Sequence, residues 1–374
     1  MEDIYSDKII EEIKKVNSKN FTSFLEDLRK IVGINSVRGK YSKQFPFGKN
    51  INTCLETSLD ICDKLGFKTH YNKYYGYAEF GQKNDKYIGV FGHLDTVEIG
   101  KGWNHNPLGF DIENNRIYAR GILDNKGPIL SVVYALYALK VMNIIPQIPI
   151  RIVFGINEET GFEDMRVYNK NEKAPYMGFT PDCKFPVVYA ERGRLNYEIT
   201  FNNENEAFEW INHYIFPDSL YAKRLKIDCY DEEFGRLEIR NHKLISKDKK
   251  IKFTSSVSYP KIIQSSEIIR SIKNTLVNAD LKIINDYKAV YFDKKSLMIK
   301  KLQKAYNKIA DKKLEPVTTS GGTYAKIIKN IVPFGPSFPG QKDIAHNPDE
   351  WMDICDLKKI LNIYTLALLY LQEE

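Results

Sequence analysis

The sequence has little that would place it in a membrane, outside the cell or on nucleic acid. Its 374 residues contain no apolar run near the roughly 18 that span a bilayer. The charged opening, MEDIYSDKIIEEIKKVNSKN, lacks the apolar centre of a secretory signal. Cysteine is sparse: Cys54, Cys62, Cys183, Cys229 and Cys355 form no C-x-x-C pair and leave an odd thiol over, which argues against a disulfide framework and fits a reducing cytosol. Lysines make the chain basic, at a formal net charge of +7, but acidic residues are interspersed among them and no arginine-rich stripe or stacking motif accompanies them. That pattern is a solvated surface, so neither nucleic acid nor membrane is expected as a partner. Internal repeats and low-complexity linkers are missing too. The expectation is a soluble, cytoplasmic protein.

What is present is enough apolar residue, 43% of the chain, to bury a core, over a length most comfortably divided between two domains. In the first part, Phe21 to Val32 and Ile51 to Leu65 place apolar residues at helical spacing, and Gly66 ends the second. Tyr87 to Phe91 and Ile150 to Phe154 are short, β-rich and apolar, as inner strands of a sheet covered on both faces are. Between them Gly127 to Met142 reads as a buried helix, with Pro128 in its first turn. This is an α/β pattern, in which catalytic groups are expected at the carboxyl ends of strands. From about Gly193 the order changes to strand, helix, several strand-like pieces (LKIDCY, GRLEIRN, IKFTSSVSYP), helix and strand, which predicts a small α+β domain with an antiparallel sheet. From about Lys294 the α/β pattern resumes and ends in a helix from Cys355 to Leu371. The predicted organisation is a discontinuous domain, 1–192 and 294–374, with a second domain, 193–293, inserted into it.

The chemistry gathers at the predicted strand exits and loops. FGHLDTVEIGKGW puts His93 and Asp95 where an apolar run stops; Asp124 precedes the buried helix in ARGILDNKGP; Glu158 and Glu159 follow IRIVFGIN; Asp182 lies in GFTPDCKFP and His346 in GQKDIAHNPDEW. Imidazole and carboxylate are the ligands that zinc, cobalt and manganese share. Two adjacent cations need a bridging carboxylate between them. His93, Asp124 and Asp182 on one metal, with Asp124, Glu159 and His346 on the other, meet that count. Glu158 is then spare and placed to take a proton from a metal-bridging water, while Asp95, two residues past His93 on the same side of an extended chain, is placed to accept the imidazole N–H. Singly, a His-x-Asp or Glu-Glu pair is more often a surface pair or a cap.

Taken in order, with their flanking residues, these segments resemble the M20 metallopeptidase family, and within it the PepV-like and carnosinase-like cytosolic dipeptidases. The matching stretches are GHLDTV with GKGW and PLGF, IYARGILDNKGP, INEETGFEDM, GFTPDCKFPVVYAERG, SGGTYAK and FGPSFPGQKDIAHNPDEW. The resemblance implies a zinc-peptidase-like catalytic domain, a mixed sheet covered by helices, with an inserted lid. It implies two zinc ions, for which manganese or cobalt can substitute, on His93, Asp124, Glu159, Asp182 and His346, with Glu158 as general base and Asp95 orienting a ligand histidine. It also implies a cis peptide bond at Asp124–Asn125, contacts from Gly321, Gly322 and Thr323 to the substrate, hydrolysis of a dipeptide or N-acyl amino acid, and a possible homodimer through the lid.

The inserted domain departs from that pattern. The family's Asn-x-Val-Pro and Gly-x-x-Ala-His-Gly segments, the latter carrying the histidine that polarises the scissile carbonyl, are absent between Gly193 and Lys294; Arg-Tyr-Pro reads Ser258-Tyr-Pro, and Gly-Gly-Thr-Tyr-Ala-Arg ends in Lys326, which keeps the charge but loses the planar fork. Of the remaining histidines, His213 reads as packing or surface in a helix-like run, His242 as a turn residue, His105 as a loop residue, and His70 as the end of a helix–strand connection. An alternative therefore stands beside the hydrolase: a metal-binding protein of the same fold with weak or lost catalysis, serving as a binding or assembly module.

Overall fold

The computed structural model describes residues 7–247 and 250–373. Two compact units emerge, one made of 1–188, 294–316 and 323–374, the other of 189–293 and 317–322.

The first unit opens with α1 (Asp7–Val32), whose stripe of Ile10, Ile13, Phe24, Leu28 and Ile31 is buried at helical spacing. The helix begins well before Phe21 because Ile10, Ile13 and Val16 continue the same stripe through a charged segment. α2 (Lys49–Lys64) follows, and Gly66, at φ 77°, turns the chain just past its end. Then come the strands β1 (Lys68–Asn72), β2 (Tyr75–Phe80) and β3 (Ile88–His93), the short β4 (Asp111–Glu113) and β5 (Arg116–Tyr118), α3 (Lys126–Val141), β6 (Ile150–Gly155), α4 (Glu163–Asn171) and β7 (Met177–Thr180).

Six strands form one mixed sheet in the order β1-β2-β6-β3-β7 and then Ile331–Pro333. β1, β2 and β6 are antiparallel in succession, while β6, β3, β7 and Ile331–Pro333 run parallel. Every residue of β3 and β7 is buried, as a strand covered on both faces requires. Alternation along β3 shows the two covers. Phe91 meets Tyr168 of α4 edge to face at 5.3 Å, whereas a side chain at Gly92 would strike Ile129 of α3 on the other side. α3 is apolar nearly all round, and it packs between the sheet and the helices α1 and Ile354–Tyr370. Asn17 of α1, buried in that layer, donates to Asn362 and lies 3.2 Å from Thr365 Oγ1.

The second unit has its own core. Its four strands, ordered 238–247, 250–259, 193–201 and 279–287, are antiparallel throughout. Leu195, Tyr197, Ile199 and Phe201 alternate inward from the central strand and pack with Trp210 and Ile211 of the helix Glu204–Tyr214 and with Ile268 and Ile272 of the helix Ser265–Lys273. The fold is thus α/β with a mixed central sheet and a separate antiparallel sheet. One segment differs from its predicted form. LKIDCY is not a strand until Tyr230: Leu225 closes a 3₁₀ turn, Lys226 takes φ 55°, and Leu225 and Ile227 reach the core from a loop. Alternating apolar residues record which side chains are buried, and a loop pressed on a core buries them as a strand does. No helix of the described residues is long and apolar enough to cross a membrane.

β3 and β7 approach so closely that a side chain at Gly178 would lie 1.8 Å from the carbonyl oxygen of Gly89. Gly178→Ala is expected to force these strands apart and to destabilise the protein by about 1–3 kcal/mol. Urea denaturation checks this; an unchanged midpoint would contradict the packing described.

Candidate metal centre

Parallel strands deliver the site. His93 is the last residue of β3 and pairs with Gly155 at the end of β6; Val90 pairs with Phe179 of β7, so Asp182 emerges level with His93. Glu158 and Glu159 stand in the turn that follows β6. Asp124 comes from the turn just before α3, and the Asp124–Asn125 peptide bond is cis. His346 comes from the loop before the strand Trp351–Asp353 and takes a left-handed φ of 65°.

The six side chains converge. Nε2 of His93 is 2.9 Å from Oδ1 of Asp124 and 3.8 Å from Oδ2 of Asp182. Oδ2 of Asp124 is 3.0 Å from Nε2 of His346, and that nitrogen is 3.1 Å from Oε1 of Glu159. Asp124 therefore stands between the two imidazoles, one on each of its oxygens. Ligand atoms of His93, Asp124 and Glu159 lie within 4.8 Å of one another, as do those of His93, Glu158 and Asp182. Either group can hold a metal ion.

The electrostatics show a pocket short of positive charge. Burial works against a protonated His93, yet the carboxylates of Asp124 and Asp95 outweigh it and hold the imidazole well above its ordinary range. Hydrogen bonds to Asp124 and Glu159 push His346 up to about 10. Burial, then the charge of Asp182, raises Glu158; burial raises Glu159 as well. Asp124 goes the other way, because hydrogen bonds from His346 and His93 overcome its burial. With four carboxylates facing two imidazoles, the imidazole protons stand where cations would neutralise the acids, and the nitrogen and oxygen donors are those that zinc, manganese and cobalt accept. The residues present fit a pair of dications.

A second layer of side chains fixes these donors. Nδ1 of His93 lies 3.0 Å from the main-chain oxygen of Asp95 and 3.4 Å from its Oδ1. The Asp95 carboxylate also accepts the backbone N–H groups of Glu158 and Glu159, at 3.1 Å each, so one buried side chain orients both the histidine and the turn after β6. Asp164 accepts from Ile156 and Asn157 in the same turn and from the buried hydroxyl of Tyr324; burial, followed by the Asp95 charge, pushes it up to about 6. Asn125 accepts from the backbone of His93 and donates to the carbonyl of Pro181, tying the exits of β3 and β7 together. Glu350 holds the Asp124 turn: its oxygens accept from the backbone of Gly121, Leu123 and Asp124 and pair at 2.8 Å with the buried Arg120. Burial and the Asp124 charge push Glu350 up to about 7. Sequence reasoning missed Glu350, Asp164, Asn125 and Tyr324, although all four sit inside the quoted segments; nothing in their spacing separates them from surface polar residues.

Gly321 and Gly322 belong to the second unit, whereas Thr323 and Lys326 belong to the first, where the Thr323 hydroxyl caps the 3₁₀ turn Tyr324–Lys326. His105 stacks on Tyr118 at 3.7 Å, with its nitrogens against Asp349 and Glu113. His70 lies within β1 and stacks on Tyr77; His213 is in the helix Glu204–Tyr214; His242 lies in the strand Glu238–Lys247 beside a bulge, 3.0 Å from the hydroxyl of Ser255.

The chain is similar to known proteins. A model of the family described as Peptidase family M20/M25/M40 matches residues 89–370. The chain is 28% identical to the Bacillus subtilis (strain 168) protein named "Putative dipeptidase YtjP", over 96% of this chain and 98% of that one; the alignment runs to 459 positions, more than the 374 residues here, so the relative carries stretches without a counterpart. It is 33% identical to the "Beta-Ala-Xaa dipeptidase" of Lactobacillus delbrueckii subsp. lactis, over 50% of this chain and 41% of that one. Human carnosine dipeptidase 1 has the same fold, with a TM-score of 0.76 over 97% of this chain and 99% of that one, at 13% identity.

Glu350→Ala removes the acceptor of three backbone N–H groups and leaves the Arg120 cation buried without its partner. The expected cost is about 3–5 kcal/mol of stability. Glu350→Gln, which keeps an acceptor oxygen, should lose less, and denaturant unfolding of the two variants against the parent measures both.

Proposed function

Because the chain belongs to peptidase family M20/M25/M40, a metal-dependent family, we propose that it is a binuclear hydrolase of dipeptides or related N-acyl amino acids, with Glu158 as general base. The observation that carries the proposal is the placement of Asp124, with one imidazole on each oxygen and Glu159 beside the farther one. On this reading His93, Asp124 and Asp182 hold one cation and Asp124, Glu159 and His346 the other. Zinc is the proposed metal, and manganese or cobalt uses the same donors. Bound there, the pair supplies Lewis acidity that polarises the scissile carbonyl and acidifies water.

The chain's own residues do the rest. Glu158 has a carboxylate oxygen within 4.8 Å of the His93 and Asp182 ligand atoms but is not itself needed as a ligand. It is free to take the proton of the attacking water and pass it to the departing amine. Asp95 keeps Glu158 on station through the backbone N–H it accepts, and the same side chain faces Nδ1 of His93, leaving Nε2 to the cation. Lys326 in SGGTYAK is the proposed cation of the substrate-binding loop that also includes Gly321, Gly322 and Thr323. The dipeptide class is supported by the names of the two relatives.

The purified chain is expected to carry two metal ions per protomer by elemental analysis and to hydrolyse members of a panel of dipeptides and N-acyl amino acids. Glu158→Ala should keep both ions and lose roughly 10²–10⁴ in kcat. Two bound ions without turnover of any substrate would overturn the hydrolase and favour a metal-binding module; full activity in Glu158→Ala would remove Glu158 from the chemistry.

A further inference from the structure

A substrate with a free carboxylate brings negative charge to a pocket that already holds the side chains of Asp124, Glu158, Glu159 and Asp182. Beyond the two metal ions and Lys326 proposed above, a fixed cationic side chain beside the pocket would favour its binding. The first unit places one on the turn that carries Glu158 and Glu159. Nη1 of Arg38 donates to Oγ1 of Thr160 at 2.8 Å, and the same hydroxyl accepts from the amide of Asn157, so the guanidinium hangs on the residue next to Glu159. Its other face is supported by the buried ring of Phe47, whose centroid is 5.5 Å away.

The segment that presents Arg38 is held to the exit of β3. Ser36, fully buried, donates to the carbonyl of Leu94 at 2.7 Å and accepts the N–H of Thr96 on its own carbonyl, and Val37 bridges to Thr96. Just past Arg38 the chain closes a loop, with Gly39 donating to Phe47 at 2.8 Å and with Gly48, at φ 112°, so close that a side chain there would lie 2.7 Å from Gly39. Arg38 is thus exposed at its tip and fixed at its base.

Its charge is otherwise unused. Arg38 has no carboxylate partner among the described residues; its one hydrogen bond goes to a neutral hydroxyl. The unit's other arginines are engaged differently: Arg120 pairs with Glu350, Arg151 with Glu79 and Glu172, Arg166 donates to the carbonyl of Gly161 within the same turn, and Arg29 and Arg116 lie over the rings of Phe110 and Trp351. A guanidinium with open donors offers the planar fork that a carboxylate takes in bidentate fashion. The geometry points to Arg38 as the residue that receives the substrate's free carboxylate, and so as a determinant of specificity for peptides and acyl amino acids with an unblocked carboxyl end. This inference rests on the hydrolase proposed above.

The test compares each substrate with its carboxamide, on the full-length, metal-loaded protein. Arg38→Gln is expected to raise KM for the acid roughly 10-fold to 100-fold while changing kcat little, to leave turnover of the amide unaltered, and to narrow the wild-type preference for acid over amide accordingly. Arg38→Lys should recover part of the loss, since it restores the charge without the fork. An equal loss on acid and amide would show that Arg38 only steadies the turn, and no loss on either would remove it from the site; both overturn the inference. Calorimetric binding of an N-acyl amino acid and its amide to Glu158→Ala, with and without Arg38→Gln, separates this inference from the one beneath it. If no substrate turns over but acid is bound over amide only when Arg38 is present, the hydrolase fails and the carboxylate site stands. If acid and amide bind alike in both proteins, the carboxylate site fails.

Discussion

Repulsion among carboxylates is the constraint that the first unit is built to withstand. Asp124, Glu158, Glu159 and Asp182 point into one pocket from different parts of the chain, and buried acids without partners cost several kcal/mol each. The structure meets this by placing Asp124 between two imidazoles and by taking the acids from rigid places: the exits of parallel strands whose central members are wholly buried, and the turn before a helix sealed in the core. A looser scaffold would let the acids drift apart, and the donor geometry would be lost.

The layer behind the donors is acidic as well, which intensifies the problem and shows how it is handled. Asp95, Asp164 and Glu350 are buried, and each accepts backbone N–H groups of the turns that bear the inner acids. A carboxylate is the one common side chain that can take several main-chain donors and leave a loop with no orphaned N–H. Buried cations sit farther out, with Arg120 on Glu350 and Lys126 on the carbonyl of Ile34. Charge therefore alternates outward from the pocket: inner acids, backbone amides, outer acids, then Arg120. Replacing any outer acid with an apolar residue removes the anchor of a turn rather than merely a charge.

Much of this was legible in the sequence because the donors are rare residue types at recognisable exits. His93 and Asp124 each mark the boundary of an apolar segment, and the nearly continuous apolar runs of α3 and β6 located those segments to within a residue or two. The outer layer was not legible in the same way. Glu350 differs from Asp349 beside it only in where the fold turns it, one into the core and one toward His105. Edge strands were similarly opaque: β1, KTHYN, has no inward-facing apolar series, so His70 read as a connection although its backbone pairs with Tyr77. LKIDCY shows the reverse error, an apolar alternation produced by a loop. Arg38 carried no signal at all, since its meaning comes from Thr160, far along the chain.

The discontinuity of the first unit bears on how the molecule is made. A ribosome releases His93, Asp124, Glu159 and Asp182 first, then most of the second unit, 189–293, and only afterwards its segment 317–322, the parallel strand Ile331–Pro333, His346, Glu350 and the helix Ile354–Tyr370 that covers α1 and α3. Until that last helix emerges, α3 lacks the cover that the helix gives it, whereas the core residues of the inserted unit, all between 195 and 283, have already emerged. The nascent chain therefore keeps an apolar face of α3 exposed until nearly the end of its synthesis, and the pocket closes only when its final contributors arrive.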